Sequence, residues 1–297
     1  MGGQVADGGP VRHQVALLDG ALGTELGKRG VDARSRLFSA SALLDDAGRR
    51  SLRAVHAEYV AAGAEVITAA TFRTNRRALD AAGLGVRFPE LARVAVREAR
   101  AAAPAEVPIR VAGSMAPLED CYRPELRPGA AAARREHEEH ARALAEAGCD
   151  LLLVETVAAT DEGLAAVAAA RGTGLPVWVA AMSTPRLTLL DGSDLGSFFR
   201  AAVAAGASAV LVNCTPCDGI DAALPILASA GVPFGAYAHM GDVDPAVPWP
   251  SPPSLAPAEY AERVLRWVRR GASIAGGCCG TGPAHIRAVR TAVASVR

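Results

Sequence analysis

The sequence predicts a single-domain α/β fold of the (β/α)8, or TIM-barrel, type, and three observations carry that expectation. Short apolar strand-like runs alternate with Ala/Arg/Glu-rich helical patterns almost from end to end. Eight runs of each kind fit within 297 residues, about the length of one such barrel. Five helical patterns finish on a glycine just before the next run, at Gly63, Gly148, Gly206, Gly231 and Gly271, where a left-handed helix cap is wanted. The competing architecture is an open doubly wound sheet, whose Gly-x-Gly-x-x-Gly turn would follow the first run. Asp19-Gly20-Ala21-Leu22-Gly23-Thr24 stands there instead, one spacing off, which argues against nucleotide binding.

In chain order the expected strands are Val15 to Leu18, Val66 to Ala69, Ile109 to Ala112, Leu151 to Val154, Val177 to Ala181, Ala209 to Val212, Phe234 to Tyr237 and Ser273 to Ala275. The helices expected between and after them are Ser51 to Ala62, Pro89 to Ala103, Ala131 to Ala147, Asp161 to Arg171, Leu195 to Ala205, Ile220 to Ala230, Pro257 to Arg269 and Pro283 to Val296. Pro89, Pro257 and Pro283 suit a first turn, which has no use for their missing N–H, and Asp161 with Glu162 reads as a helix start. Residues 1–14, polar and glycine-rich, are expected to be a flexible N-terminal tail, with the barrel over 15–297.

Composition narrows the function. Lys+Arg and Asp+Glu are both 31, so no global field recruits nucleic acid or an acidic membrane. No apolar stretch is long enough to span a bilayer, and the six cysteines come without a signal peptide, which places the chain in a reducing cytoplasm. A small neutral or zwitterionic ligand fits that balance, bound by a monomer or small homo-oligomer. Lys28 is the only lysine, which leaves little room for lysine-based covalent chemistry.

In a barrel of this type the active site collects at the C-terminal ends of the strands. Those ends carry Asp19, Thr71 with Phe72, Ser114, Glu155, Asn213 with Cys214, and Cys278 with Cys279. Adjacent cysteines rarely pair with each other, and the glycines around Cys278-Cys279 let backbone approach closely, so the pair with Cys214 reads as a soft-metal site. Three thiolates with one exchangeable position is the arrangement of a catalytic zinc. Cys217 completes a Cys-x-x-Cys with Cys214 and is open to two other readings, a fourth zinc ligand or a redox partner. Cys121 and Cys149 read as ordinary thiols. His239, after the seventh strand, is the one histidine at the active end of the barrel.

The phrases Asp19-Gly20-Ala21-Leu22-Gly23-Thr24-Glu25-Leu26, Gly148 to Thr156, Asn213-Cys214 and Gly276-Gly277-Cys278-Cys279-Gly280-Thr281 resemble, in order and spacing, the homocysteine S-methyltransferase family, over about residues 15 to 290. The resemblance implies a zinc ion held by Cys214, Cys278 and Cys279, with homocysteine and a small methyl donor as substrates. It implies that Asp19 and Glu155, beside the backbone of Gly20 and Ala21, hold the homocysteine amino group, and that Phe38 stands at the mouth of the site. Departures from the family pattern fall on the donor side. Ala70 replaces a frequent Asn, Ala238-His239-Met240-Gly241 replaces a Pro-Asn-Ser-Gly-like phrase, and 114–124 lacks a Gly-Ala-Tyr-Leu phrase.

A zinc-bound thiol loses its proton outright, a gain of about thirtyfold in nucleophile, or about 2 kcal/mol, over a free thiol at neutral pH. Electron-rich thiolate ligands push charge back onto the substrate sulfur. By residue 297 all eight units are used, so neither a folate barrel nor a cobalamin domain is expected. A sulfonium donor such as S-methylmethionine or S-adenosylmethionine is then simplest, with Phe38, Phe72, Tyr237 or Trp249 offering a face to the cation. Two alternatives stay open: a methyl-accepting module served by a separate corrinoid protein, and a non-catalytic zinc protein closed by Cys217.

Overall fold

The structure is a computed structural model that describes residues 15–32, 35–240 and 255–295. The expected tail over 1–14, Trp249, Gly241 and the end of the last helix at Val296 lie outside the described residues. The strands are β1 (Ala16–Leu17), β2 (Val66–Thr68), β3 (Arg110–Met115), β4 (Leu151–Val157), β5 (Val177–Ala181), β6 (Ala209–Asn213), β7 (Phe234–Tyr237) and β8 (Ile274–Ala275). All pair in parallel in the order β1-β8-β7-β6-β5-β4-β3-β2. A parallel bridge from Leu18 to Val66 joins the two ends, backed by Glu65 N donating to Leu17 O at 2.7 Å and Asp19 N to Val66 O at 3.0 Å. The sheet therefore closes into the predicted barrel.

Ten α-helices are described: α1 (Leu22–Lys28), α2 (Asp46–Ala61), α3 (Arg76–Ala81), α4 (Phe88–Arg100), α5 (Ala130–Glu146), α6 (Thr160–Arg171), α7 (Leu195–Ala204), α8 (Cys217–Ala228), α9 (Pro257–Arg269) and α10 (Pro283–Ala294). The short α1 and α3 sit in the loops after β1 and β2, and the sequence reading did not anticipate them. The others are the eight expected helices with shifted ends. The second helix starts five residues early because Asp45 caps it, accepting from Gly48 N at 2.7 Å. Asp161 is not a cap but lies inside α6, whose N-cap is Ala159. The five glycines at helix ends all have positive φ, between 75° and 109°, as the left-handed cap requires.

Strand residues alternate between two apolar surfaces. Leu152 and Val154, Val177 and Val179, and Val210 and Val212 pack outward against the helices. Leu151 and Leu153, Trp178 and Ala180, and Ala209 and Leu211 fill the barrel interior. Both faces are thus buried, which is why the strands read as continuous apolar runs. The same alternation sets the site. One step beyond the apolar interior layer, Thr68, Ser114, Glu155 and Asn213 follow Val66, Ala112, Leu153 and Leu211 at a spacing of two, so the barrel floor is apolar and its C-terminal rim polar.

Candidate active site

Two carboxylates occupy this polar rim. Asp19, after β1, accepts from Thr68 N and Thr68 Oγ1, both at 2.9 Å. Glu155, in β4, accepts from Ser114 Oγ at 2.5 Å and from Tyr237 OH at 3.0 Å. Ser114 is itself fixed by Thr71, whose Oγ1 accepts from Ser114 N at 2.9 Å and donates to Ser114 O at 3.0 Å. Both carboxyls are buried, and burial pushes each up to about 7 against the pull of these hydrogen bonds. The charge of Glu155 raises Asp19 further, and that of Cys278 raises Glu155. An ammonium placed between them would relieve both.

Three thiols converge beside this pair. The sulfurs of Cys214, Cys278 and Cys279 lie within 4.8 Å of one another, with Cys214 to Cys278 at 2.9 Å and Cys278 to Cys279 at 3.8 Å. Hydrogen bonding with Cys214 and Cys279 holds the Cys278 thiol well below its usual range, while contact with Cys278 pushes Cys214 up. Cys214 sits in the left-handed region at φ 46°, an uncommon backbone state for a non-glycine residue and one that clusters at functional sites.

The two glycine-rich phrases of the sequence interlock here. Gly277 N donates to Asp19 O at 3.0 Å, Ala21 N to Thr281 O at 3.0 Å and Gly280 N to Thr24 Oγ1 at 3.2 Å. Tyr59 OH donates to both Ala21 O and Thr281 O, at 3.2 and 3.1 Å. A Cβ on Gly277 would fall 2.1 Å from Thr281 Oγ1, so this turn admits no side chain. Ala21 lines the cavity beside Asp19, with its N–H bonded to Thr281 O and its C=O accepting from Tyr59 OH.

The donor set fits a zinc ion. Three soft sulfurs on one side of a cavity leave a position open, and sulfurs bound at about 2.3 Å in a tetrahedron lie roughly 3.8 Å apart. Cys278 and Cys279 already have that spacing. Cys217 does not join them. It begins α8, packs in the helix layer, and is pushed up to about 11 by burial, with Arg263 and Asp221 as its nearest charges. The reading of Cys217 as a fourth ligand therefore fails: its side chain is packed in the helix layer, and among the described residues only Cys214, Cys278 and Cys279 bring their sulfurs within reach of one ion. Cys149 is buried on the helix side. Cys121 lies closer, in a small cluster with Met182, Phe72, Tyr122 and Cys214, and burial pushes its thiol up to about 12. His239 is buried, and its charge favours the Cys278 thiolate.

A cavity of about 1380 Å³ opens from this centre to the surface. Asp19, Gly20, Ala21, Glu155 and the three thiols line its inner end, and Phe38 and Phe72 line the outer part edge to face at 5.8 Å. Phe38, at φ 49°, lies over Gly23, where a Cβ would come within 2.3 Å of its ring. Asp19, Gly20, Ala21, Phe38, Phe72, Ser114, Glu155, Cys214, Tyr237, Cys278 and Cys279 thus border one cavity, whereas Thr71, Asn213 and His239 are not part of its lining. Thr68 and Tyr122 were missed. Thr68 was legible as an inward strand-end residue beside Asp19. Tyr122 stands on an irregular segment with no sequence signal, and burial together with the charge of Cys214 raises its phenol.

Comparison with known proteins agrees with this geometry. A family model described as homocysteine S-methyltransferase matches residues 16–293. The homocysteine S-methyltransferase of Escherichia coli is 31% identical, with 94% of this chain and 95% of that protein aligned. A selenocysteine Se-methyltransferase of Brassica oleracea is 27% identical over 95% of this chain and 90% of that protein. The crystal structure of the metallated form of the homocysteine methyltransferase MmuM from Escherichia coli superposes with a TM-score of 0.80 at 28% identity, covering 94% of this chain and 96% of that one. The same cysteine and carboxylate phrases that build the cavity run through the matched region, and the chain belongs to the homocysteine S-methyltransferase family.

Proposed function

We propose that this protein transfers a methyl group to the sulfur of homocysteine from a small sulfonium donor, S-methylmethionine or S-adenosylmethionine, with zinc bound by Cys214, Cys278 and Cys279. The observation that carries the reading is the meeting, in one cavity, of three convergent thiols and two buried carboxylates. A thiol amino acid matches both features at once. Zinc, when bound, would supply the Lewis acidity that keeps the substrate thiol ionised at neutral pH.

The chain's own residues then orient the acceptor. Asp19 and Glu155 hold the substrate ammonium, Thr68, Ser114 and Tyr237 fix the carboxylate oxygens, and the sulfur is directed toward Cys214, Cys278 and Cys279. Holding both reactants in line accounts for much of the remaining rate gain. In the transfer the donor's S–CH3 bond breaks as the new S–CH3 bond forms. The bonding pair returns to the donor sulfur, which leaves as a neutral thioether, and the acceptor's thiol proton goes to solvent. No general acid is needed. The soft donor set also suits a selenol acceptor, as in the Brassica relative's name.

The test is a donor screen with metal-analysed protein, following methionine formation from homocysteine. Turnover with a sulfonium donor is expected. Turnover only with a methylcobalamin source would replace the donor assignment with a corrinoid carrier, and no turnover with any donor would overturn the reading.

A further inference from the structure

We propose that Asn213 is a positioning residue for the acceptor: its carboxamide clasps Thr156 in a left-handed conformation and thereby aims Glu155 at the substrate ammonium. The proposal rests on the reading of Glu155 as an amino-group anchor given above.

The register of β4 against β5 carries it. Val154 pairs with Val179 and Val157 with Ala181, so Glu155 and Thr156 together face the single residue Ala180. That is a β-bulge, the device by which a strand re-aims a side chain next to an active site. In a regular strand consecutive residues point to opposite faces, yet Glu155 and Thr156 both line the cavity. The bulge requires φ 59° at Thr156, a β-branched residue for which the left-handed region is a genuine outlier. Something must hold it there.

Asn213 does so with both ends of its side chain. Its Oδ1 accepts from Thr156 N at 3.1 Å, and its Nδ2 donates to Thr156 Oγ1 at 3.0 Å. Asn213 is fully buried at the end of β6, one residue before Cys214, which is itself left-handed. The strand is anchored there in turn, since Thr215 Oγ1 donates to Asn213 O at 2.9 Å and accepts from Ser183 N at 3.0 Å. One carboxamide thus ties the carboxylate that faces the amine to the strand end that bears the thiol. The Asn-Cys pair of the sequence is explained as a unit: the cysteine supplies sulfur, and the asparagine sets the distance from that sulfur to Glu155. A Gln would overreach, and an Ala or Ser would leave Thr156 N–H buried without its acceptor.

The experiment compares Asn213→Ala and Asn213→Asp, each alone and with Thr156→Gly, using two acceptors: homocysteine and 4-mercaptobutanoate, which lacks the amino group. Asn213→Asp keeps the acceptor oxygen and loses the donor, so it reports even if the alanine variant folds poorly. Bound zinc, donor KM and calorimetric affinity for norleucine, which carries the ammonium without a thiol, are measured alongside. The expected result is a rise in homocysteine KM of about tenfold or more, a matching loss of norleucine affinity, and zinc content, donor KM and 4-mercaptobutanoate KM within about twofold of the parent. Glycine tolerates φ 59° unaided, so Thr156→Gly should recover part of the homocysteine preference in the Asn213→Ala background. Equal losses for both acceptors, or zinc lost in parallel, would overturn the proposal by assigning Asn213 to the thiol corner or the fold. A parent enzyme that does not distinguish the two acceptors would overturn the Glu155 reading itself, and this proposal with it.

Discussion

At the inner end of the cavity the reactive groups stand on strand ends, and each is fixed by residues of other strands or strand ends, some adjacent and, for Tyr237, across the barrel. Asp19 is held by Thr68, Glu155 by Ser114 and Tyr237, and the Cys278 turn by Asp19 and Ala238. At the mouth the groups stand on connecting segments and are fixed by long side chains. Arg73 stacks on the Phe72 ring at 5.1 Å, and its Nη1 donates to Pro117 O at 2.9 Å and Glu119 O at 2.8 Å. Glu162 Oε1 accepts from Leu118 N at 2.9 Å, and Asp120 Oδ1 from Tyr122 N at 2.9 Å. The barrel's register thus positions the inner end, proposed above to hold the acceptor, whereas a stapled loop positions the mouth, where the proposed donor would enter. The lesson is that one half of the chemistry is set by the fold and the other by a loop that can be rewritten while the barrel stays.

The largest effect should come from the thiol corner. Cys278→Ala removes the sulfur that contacts both others, so bound zinc and turnover should both fall by about a thousandfold or more. The melting temperature should move little, because Cys278 is only partly buried and touches just the edge of the interior apolar layer. Chelation of the parent protein should reproduce both results. Metal analysis with methionine formation checks this, and normal activity in the variant would remove the distinction between the two ends.

Next is Glu155→Gln. The amide keeps the shape but removes the charge facing the ammonium, and charge-assisted hydrogen bonds contribute about 1.5–3 kcal/mol. Homocysteine KM should rise roughly tenfold to a hundredfold. Donor KM should not move, since the carboxylate faces the inner end. A shift confined to the donor would reverse the assignment of the two halves.

How far the sequence could be read follows the same division. Glu155 was legible because it continues the inward spacing of Leu151 and Leu153, and Asp19 because it follows a closing strand. The thiols announced themselves by residue type and by the glycines around them. The bulge at Glu155-Thr156 was not legible, for it depends on pairing with β5 and on a carboxamide 57 residues away. Helices α1 and α3 were missed because each is short and set in a glycine- or asparagine-bearing phrase that reads as loop. Tyr122 was missed because its place depends on the Arg73 and Glu162 staples. Cys217 was over-read: spacing from Cys214 alone suggested a ligand, and the start of α8 carries it to the helix layer.

The smallest effects should fall at the mouth. Phe72→Leu keeps the apolar volume but removes the ring face offered to a cation, an interaction of about 0.5–2 kcal/mol, so donor KM should rise about twofold to thirtyfold while homocysteine KM stays put. Tyr122→Phe is the finer probe. Among the described residues the phenol makes no hydrogen bond, and burial holds its pKa up, so the group is a neutral hydroxyl at the edge of the thiol corner. If it meets only the donor's methyl-bearing end, deleting it should change donor KM by about threefold or less and leave zinc content and homocysteine KM alone. Loss of zinc on that substitution would mean that the loop takes part in holding the metal corner, and the contrast between a fold-built acceptor end and a loop-built donor end would not survive it.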